Sequence, residues 1–182
     1  MRADPESTHR RIIDAATEVF GNHGTEASLN EIARRASVGP GTLYRHFPSR
    51  EHLIDACMQN WEAQLHAAAE RAVASRKPTA ELLLQWFEDF TAHISTYRGG
   101  PARLLRARSS TEALWARRWN TLQSANAAVF ESLIKADAVR PGADPPLLCT
   151  LVCGVAATAE EGNLDARQRR ALLQVIISGT LS

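Results

Sequence analysis

The 182-residue chain is short of the features that mark most specialised protein classes. It has three cysteines, Cys57, Cys149 and Cys153. An odd number without metal-finger spacing excludes a disulfide framework and points to reduced thiols in the cytoplasm. Cys149 and Cys153 are four apart and would share a helix face, but no His or Asp cluster supplies the further ligands of a structural zinc site. Neither a metal nor another cofactor is expected. A charge of one sign is also missing: 21 basic residues stand against 20 acidic ones, a net +1. A protein that neutralises many phosphates normally carries a visible basic excess, so a nucleic-acid partner must be argued from where the charges sit. Long apolar runs are absent too. The most apolar stretch, residues 147–159, is interrupted by Cys149, Thr150, Cys153, Gly154 and Thr158 and is too short to span a bilayer. Residues 1–10 lack the apolar core of a signal peptide. The expectation is a cytoplasmic protein with no membrane partner. With 45% hydrophobic and 23% charged residues, the remaining composition is that of an ordinary globular chain.

No segment alternates with period two over a useful length, whereas apolar residues recur at intervals of three to four almost throughout. An all-α fold of about nine helices follows, three short ones in the first 48 residues and six, mostly longer, after them. The first covers residues 8–23, with Ile12, Ala16, Val19 and Phe20 on one stripe and Gly24 at the position of a C-cap glycine. The second opens with Ser28-Leu29-Asn30-Glu31, a sequence that fits a reciprocal capping box, and runs to about Ala36. Pro40 suits the first position of the third, which stops near Phe47 before Pro48. Later helices are expected over 49–76, 79–97 with Thr79 as cap, 102–108, 109–135 opened by a second S-x-x-E box at Ser109–Glu112, 145–161 capped by Asp144, and 165–178 capped by Asp165. This divides the chain into an N-terminal domain, residues 1–48 continuing into the fourth helix from 49, and a C-terminal domain over residues 49–182.

The second and third helices are joined by only Ser37-Val38-Gly39, which is helix-turn-helix spacing. Between Glu31 and Glu51 there is no acidic residue, while Arg34, Arg35, Arg45 and Arg50 give a local +4. The stretch Gly41-Thr42-Leu43-Tyr44-Arg45-His46-Phe47-Pro48-Ser49-Arg50-Glu51, with Ile32–Ala36 and Val38-Gly39-Pro40, closely resembles the DNA-binding domain of the TetR family of bacterial transcriptional regulators. The resemblance runs over roughly residues 9–55. It implies three N-terminal helices that bind double-stranded DNA and a larger C-terminal domain that binds a small effector and forms a homodimer on a palindromic operator. Matched residue by residue, Pro40, Gly41, Thr42 and Arg45 fall on the base-reading face of the recognition helix. Thr42 offers a hydroxyl or a methyl group, and Arg45 can reach guanine or a phosphate. Tyr44 and His46 resemble positions that hydrogen-bond phosphates, Arg50 one where a basic side chain meets the DNA backbone, and Ser28 an N-terminus that presents amides to a phosphate. Leu43 and Phe47 read as core. Two positions depart from the family pattern: Ser37 where glycine is frequent in a left-handed turn, and Gly39 where a capping serine is frequent.

The remainder resembles the family only in helix number and order, so its residues must speak for themselves. Four tryptophans fall between positions 61 and 119 of an aromatic-poor chain. They make Trp61, Leu65, Trp86, Phe90, His93, Trp115 and Trp119 candidates for an apolar effector pocket, with plain core packing as the competing reading. Arg98, Arg103, Arg106, Arg108, Arg117 and Arg118 form a second basic cluster, from which Arg103 and Arg106 are candidates for an anionic effector. Leu148, Leu151, Val152, Val155, Leu172, Val175 and Ile176 on the last two helices suit a four-helix interface with a second subunit. No nucleophile elbow, phosphate loop, dinucleotide fingerprint or H-E-x-x-H is present, so no catalytic residue is assigned and an enzyme is not expected. The sequence therefore points to a ligand-responsive repressor. The alternative is a helical small-molecule sensor whose helix-turn-helix-like hairpin docks a protein partner.

Overall fold

The computed structural model describes residues 5–96, 99–107 and 113–182, and for residues 5, 107 and 113–115 the backbone alone. The described residues form nine helices: α1 (Pro5–His23), α2 (Leu29–Arg35), α3 (Pro40–His46), α4 (Arg50–Val73), α5 (Thr79–Ile94), α6 (Gly100–Ala107), α7 (Ala113–Lys135), α8 (Pro145–Glu161) and α9 (Ala166–Thr180). Extended pairing among them is confined to one antiparallel bridge between Val139 and Leu181. The expected all-α fold is observed. The second S-x-x-E box, Ser109–Glu112, lies outside the described residues, as do Tyr97, Arg98 and Arg108. The chain divides into two units, one built from residues up to Trp61 with Thr96, the other from Glu62 to Ser95 and from Gly99 onward. The first unit therefore takes in the first half of α4, from Arg50 to Trp61.

In the first unit the α1 stripe of Ile12, Ala16, Val19 and Phe20 is buried with Ile32 and Ala33 of α2, Leu43 of α3 and Leu53 and Cys57 of α4. Short helices gain little from their own hydrogen bonds, so their ends must be fixed by the chain around them. Gly24 ends α1 in the left-handed region at φ +79°, its amide donating to the Phe20 carbonyl. Gly21, inside α1, has a different reason to lack a side chain. A Cβ there would lie 2.6 Å from the Thr96 carbonyl oxygen. The α2 end closes on a Schellman pattern, with Ser37 N–H donating to Arg34 O and Val38 N–H to Ala33 O at 3.0 and 2.9 Å. Ser37 takes the left-handed conformation, φ 54°, as its place in the motif requires.

Two expected caps are not formed. Ser28 occupies the N-cap of α2 but makes no side-chain cap hydrogen bond, and the Glu31 amide is accepted by the Ser28 backbone oxygen instead. Glu31 turns to Arg35 one turn on, which is also paired with Glu18 of α1. An ion pair that ties α2 to α1 outcompetes the local box. Thr79 is the first residue within α5; Pro78 holds the cap position and accepts the Leu82 amide through its carbonyl. The other two expected caps form: Asp144 accepts the Leu147 amide, and Asp165 makes a full capping box with Gln168.

In the second unit α5 buries a broad apolar face and leaves Glu81, Gln85 and Asp89 exposed on the other. Leu82, Leu83, Leu84, Trp86, Phe87, Phe90 and Ile94 are all buried, and α8 and α9 pack against it. A buried polar relay joins three helices: the Trp86 indole N–H donates to Asn126 Oδ1 at 3.1 Å, and Asn126 Nδ2 donates to the Pro145 carbonyl at 2.8 Å. Each buried donor is thereby satisfied, which fixes one packing of α5, α7 and α8. The Gly99 amide at the start of α6 donates to Glu160 Oε1 at 2.6 Å, a carboxylate at the positive end of a helix.

Candidate nucleic-acid interface

Helix α3 separates its two jobs by face. Leu43 and Phe47 are buried at 1% and 3% exposure and lock the helix to the first unit, whereas Tyr44, on the same seven-residue helix, is 49% exposed. Pro40, Gly41 and Arg45 are exposed and Thr42 and His46 half-buried, so the candidate base-reading and phosphate-binding side chains lie on the accessible side. Pro40 stands at the first position behind Gly39, whose extended backbone leads the chain in without a side-chain cap.

The hydrogen bonds give several of these residues a resting position. Arg45 folds along its own helix, Nη2 donating to Thr42 Oγ1 at 3.0 Å and Nε to the Gly41 carbonyl at 3.3 Å. Both acceptors are exposed or half-exposed, so water can replace them when the guanidinium extends to another partner. Arg50 is held more firmly. Its Nη1 donates to the carbonyls of Thr25 and Ala27, each at 2.6 Å, which pins the loop between α1 and α2. Ser28 is exposed at the α2 N-terminus with its hydroxyl free of any capping role. His46 stacks loosely with His9 of α1, ring centres 5.9 Å apart, and His9 with Phe47 at 4.7 Å.

An open cleft of about 550 Å³ lies along α3. Thr8 and Arg11 of α1 line one side, Ser37, Val38 and Gly39 its end, and Thr42, Arg45 and His46 the other side. Among the described residues no acidic side chain lines it, and two guanidiniums and a histidine favour an anionic occupant such as phosphate. Thr8 and Arg11 were not among the residues singled out from sequence. Their signal was the Arg10-Arg11 pair early in α1, too far along the chain from α3 to be joined to it without the fold.

The candidate effector residues fall into two groups. Trp61, Leu65, Trp86, Phe90 and Trp119 are buried at 8% exposure or less, His93 is half-buried, and Arg103 and Arg106 are exposed. The Trp115 side chain lies outside the described residues, and Trp61 belongs to the first unit rather than the second. The expected basic cluster is not a single free patch. Arg117 pairs with Glu62 at 2.9 Å and Arg118 is buried, because consecutive residues of α7 point about 100° apart around the helix and meet different surroundings. A cavity of about 230 Å³ between α4 and α5 touches only Trp86 of the candidate set. The proposed dimer residues also divide. Leu148 and Val152 are buried in the chain's own core, Val155 and Ile176 are half-buried, and Leu151, Leu172 and Val175 are 54%, 38% and 69% exposed, alongside Leu147 at 57%. All three cysteines are buried free thiols. A hydrogen bond with Cys149 and burial push the Cys153 thiol well above its ordinary value, which makes it a poor nucleophile. No described helix is long and apolar enough to cross a membrane, and no group of three or more candidate metal ligands occurs among the described residues.

Comparison with known proteins gives this geometry its context. A family model described as bacterial regulatory proteins, tetR family, matches residues 12–57, and one described as transcriptional regulator SbtR-like, C-terminal domain, matches residues 77–181. The HTH-type transcriptional regulatory protein RaaS of Mycobacterium tuberculosis is 30% identical over 145 residues, 80% of this chain and 66% of RaaS. The HTH-type transcriptional repressor LfrR of Mycolicibacterium smegmatis is 40% identical over 73 residues, 40% of this chain and 38% of LfrR. The chain thus spans about two thirds of the length of the first relative and well under half of the second. The crystal structure of the TetR transcriptional regulator SCO0520 from Streptomyces coelicolor superposes with a TM-score of 0.74 at 32% identity, covering 95% of this chain and 98% of that one. The shared family is one of transcriptional regulators and not of enzymes. The chain belongs to the TetR family of bacterial transcriptional regulators.

Proposed function

We propose that the protein is a cytoplasmic, ligand-responsive repressor that binds a palindromic operator as a homodimer and leaves it when a small molecule binds the C-terminal unit. TetR-family regulators bind DNA and small-molecule ligands and act as dimers. The observation that carries the reading is the cleft along α3, lined among the described residues by Arg11, Arg45 and His46 and by no acid, with Tyr44 exposed on the same helix. Phosphate contacts from Tyr44, His46, Arg11 and the Ser28 end of α2 set the register, while Thr42 and Arg45 read base edges in the major groove. Pro40 and Gly41, with no bulky side chain, let the backbone of α3 approach the groove. The relative LfrR is named a repressor, which favours repression over activation.

Dimerisation uses the exposed apolar side chains Leu147 and Leu151 of α8 and Leu172 and Val175 of α9, backed by Leu148, Val152, Val155 and Ile176. The operator signal passes along α4, which carries Arg50 at its start and belongs to both units. A ligand shifts DNA affinity only by as much as it prefers one conformation of the dimer to the other. The test is a gel shift on the DNA upstream of the gene, repeated across ionic strength and with Tyr44→Phe and Arg45→Ala. A specific complex that weakens steeply with salt, and whose base preference relaxes in Arg45→Ala, supports the reading. Absence of any sequence-specific complex at low salt would overturn it.

A further inference from the structure

Two histidines meet where α1 passes α3, beside the candidate DNA contacts. His9 of α1 is exposed and His46 of α3 is half-buried, with ring centres 5.9 Å apart and ring planes inclined at 54°. The His9 ring also lies against Phe47, centre to centre 4.7 Å. Phe47 is buried, so the core gives a surface ring a fixed seat. The face of an aromatic ring also accommodates a cation, so His9 can carry a proton without leaving that seat. His46 borders the cleft along α3 together with Arg11 and Arg45. Arg11 Nη2 reaches Thr8 Oγ1 at 3.5 Å, and Arg45 rests on Thr42 and Gly41. On α2, Arg34 is exposed and Arg35 is paired with Glu18 and Glu31. In the first turn of α4, Arg50 bonds the carbonyls of Thr25 and Ala27, and Ser49 engages both His52 and Glu51. On α1 itself Arg10 follows His9, and Glu6, three residues before it, is the nearest carboxylate along the chain. Two positive rings at this spacing repel each other, and a phosphate placed between them turns the repulsion into attraction.

We propose that His9 is a further DNA-backbone contact that works with His46: the two rings clamp one phosphate between α1 and α3, and DNA binding takes up protons there. The rings are close enough for one phosphate to accept a hydrogen bond from each. An imidazolium donates from both nitrogens, whereas a neutral ring donates from one and presents an acceptor at the other. Histidine changes charge between about pH 5 and 8, so the clamp weakens as the pH rises through neutrality. Tyrosine and arginine do not change charge in that range, which makes proton uptake the signature of the histidine pair. Every phosphate contact responds to salt, but only this one responds to protons as well. The site deepens the DNA-binding reading above and rests on it.

The test measures the affinity of the full chain for the DNA upstream of its gene by fluorescence anisotropy, from pH 6 to pH 8 at fixed ionic strength. Wild-type affinity should fall about tenfold per pH unit or more, the slope that follows when each dimer takes up at least one proton on binding. His9→Gln should lower the affinity at pH 6 and leave it nearly unchanged at pH 8, and the double variant His9→Gln/His46→Gln should bind with a flat profile. His9→Lys, whose charge persists across the range, should recover much of the affinity that the wild type loses by pH 8. His9 is exposed, so its single variants keep the fold, and the unfolding midpoint checks the double variant. An equal loss at both pH values in His9→Gln would mean that the ring only holds α1 against Phe47, and overturns the clamp. A specific complex with a flat wild-type profile, or a slope that survives in the double variant, overturns the clamp and leaves the DNA-binding reading standing. No specific complex at any pH overturns both.

Discussion

Tyr44 and Arg45 reach solvent from α3 while Leu43 and Phe47 of the same stretch are buried, so the first unit divides recognition and packing between faces of one short helix. Trp86 and Phe90 of α5 are each 1% exposed, and in the second unit the residue types that would greet an apolar ligand are the residue types that hold the core together. The difference bears on how each region can be altered. The candidate DNA-contacting side chains project from a surface whose shape is kept by others, and most can be changed without unfolding the unit. Aromatic side chains on α5 have no such separation, and a loss of ligand response after mutation there is confounded with a loss of fold.

The largest expected effect breaks the comparison if it fails. Phe90→Ala removes a buried ring that meets Trp86 edge-on, ring centres 5.6 Å apart, and should cost about 3–5 kcal/mol in urea unfolding. A small cost accompanied by loss of ligand response would place Phe90 at a ligand rather than in the core. Next is Arg50, a candidate DNA contact whose guanidinium also bonds the loop between α1 and α2. Arg50→Ala loses two charge-assisted hydrogen bonds to Thr25 and Ala27 and should cost about 1.5–3 kcal/mol, with lysine restoring only part. Tyr44→Phe, by contrast, should leave the unfolding midpoint within experimental error. If Arg50→Ala instead weakens DNA binding at unchanged stability, its loop contacts are idle and its role is at the phosphate backbone.

What the sequence made legible was local. Gly24, Pro40, Asp144 and Asp165 each act on the next turn of backbone, and each marks the helix end it was expected to mark. The stripe on α1 is buried as its spacing predicts, and Leu43 and Phe47 are buried as read beside the matched family residues. The failures needed partners from elsewhere. Glu31 left the Ser28 box because Arg35 and Glu18 drew it into an ion-pair group across α1 and α2. Arg117 left the expected basic cluster because Glu62, 55 positions away, claims it. Thr8 and Arg11 joined the cleft along α3 only through the packing of α1 beside it, and the α4–α5 cavity had no sequence signature beyond Trp86.

Two smaller effects sharpen the view that the first unit is tuned at its turns. Ser37→Gly relieves a non-glycine residue at φ 54°. The left-handed conformation costs about 1–2 kcal/mol outside glycine, and glycine gives back about 0.5–1 through its looser unfolded chain. A gain of about 0.5–1 kcal/mol in unfolding free energy should result, with DNA affinity conserved. A loss of stability would mean that the Ser37 side chain holds the turn through contacts that glycine cannot replace.

The smallest effect concerns acid. Ser49, which accepts the His52 amide at the start of α4, also hydrogen-bonds the Glu51 carboxylate, and this bond, followed by one from the Glu51 backbone amide, holds the Glu51 pKa below its ordinary 4.5. A carboxyl whose folded value lies below its unfolded one binds more protons when unfolded. Its contribution to stability is present above about pH 4.5 and is lost as the pH falls through the depressed folded value. Glu51 is fully exposed, so the contribution is small and water offsets much of it. In Glu51→Gln the fall in unfolding free energy between pH 6 and pH 3 should be shallower than in the wild type, and Ser49→Ala should reproduce most of that change. Parallel pH profiles for all three proteins would mean that the start of α4 is held by backbone and Arg50 alone, with no electrostatic share from its first turn.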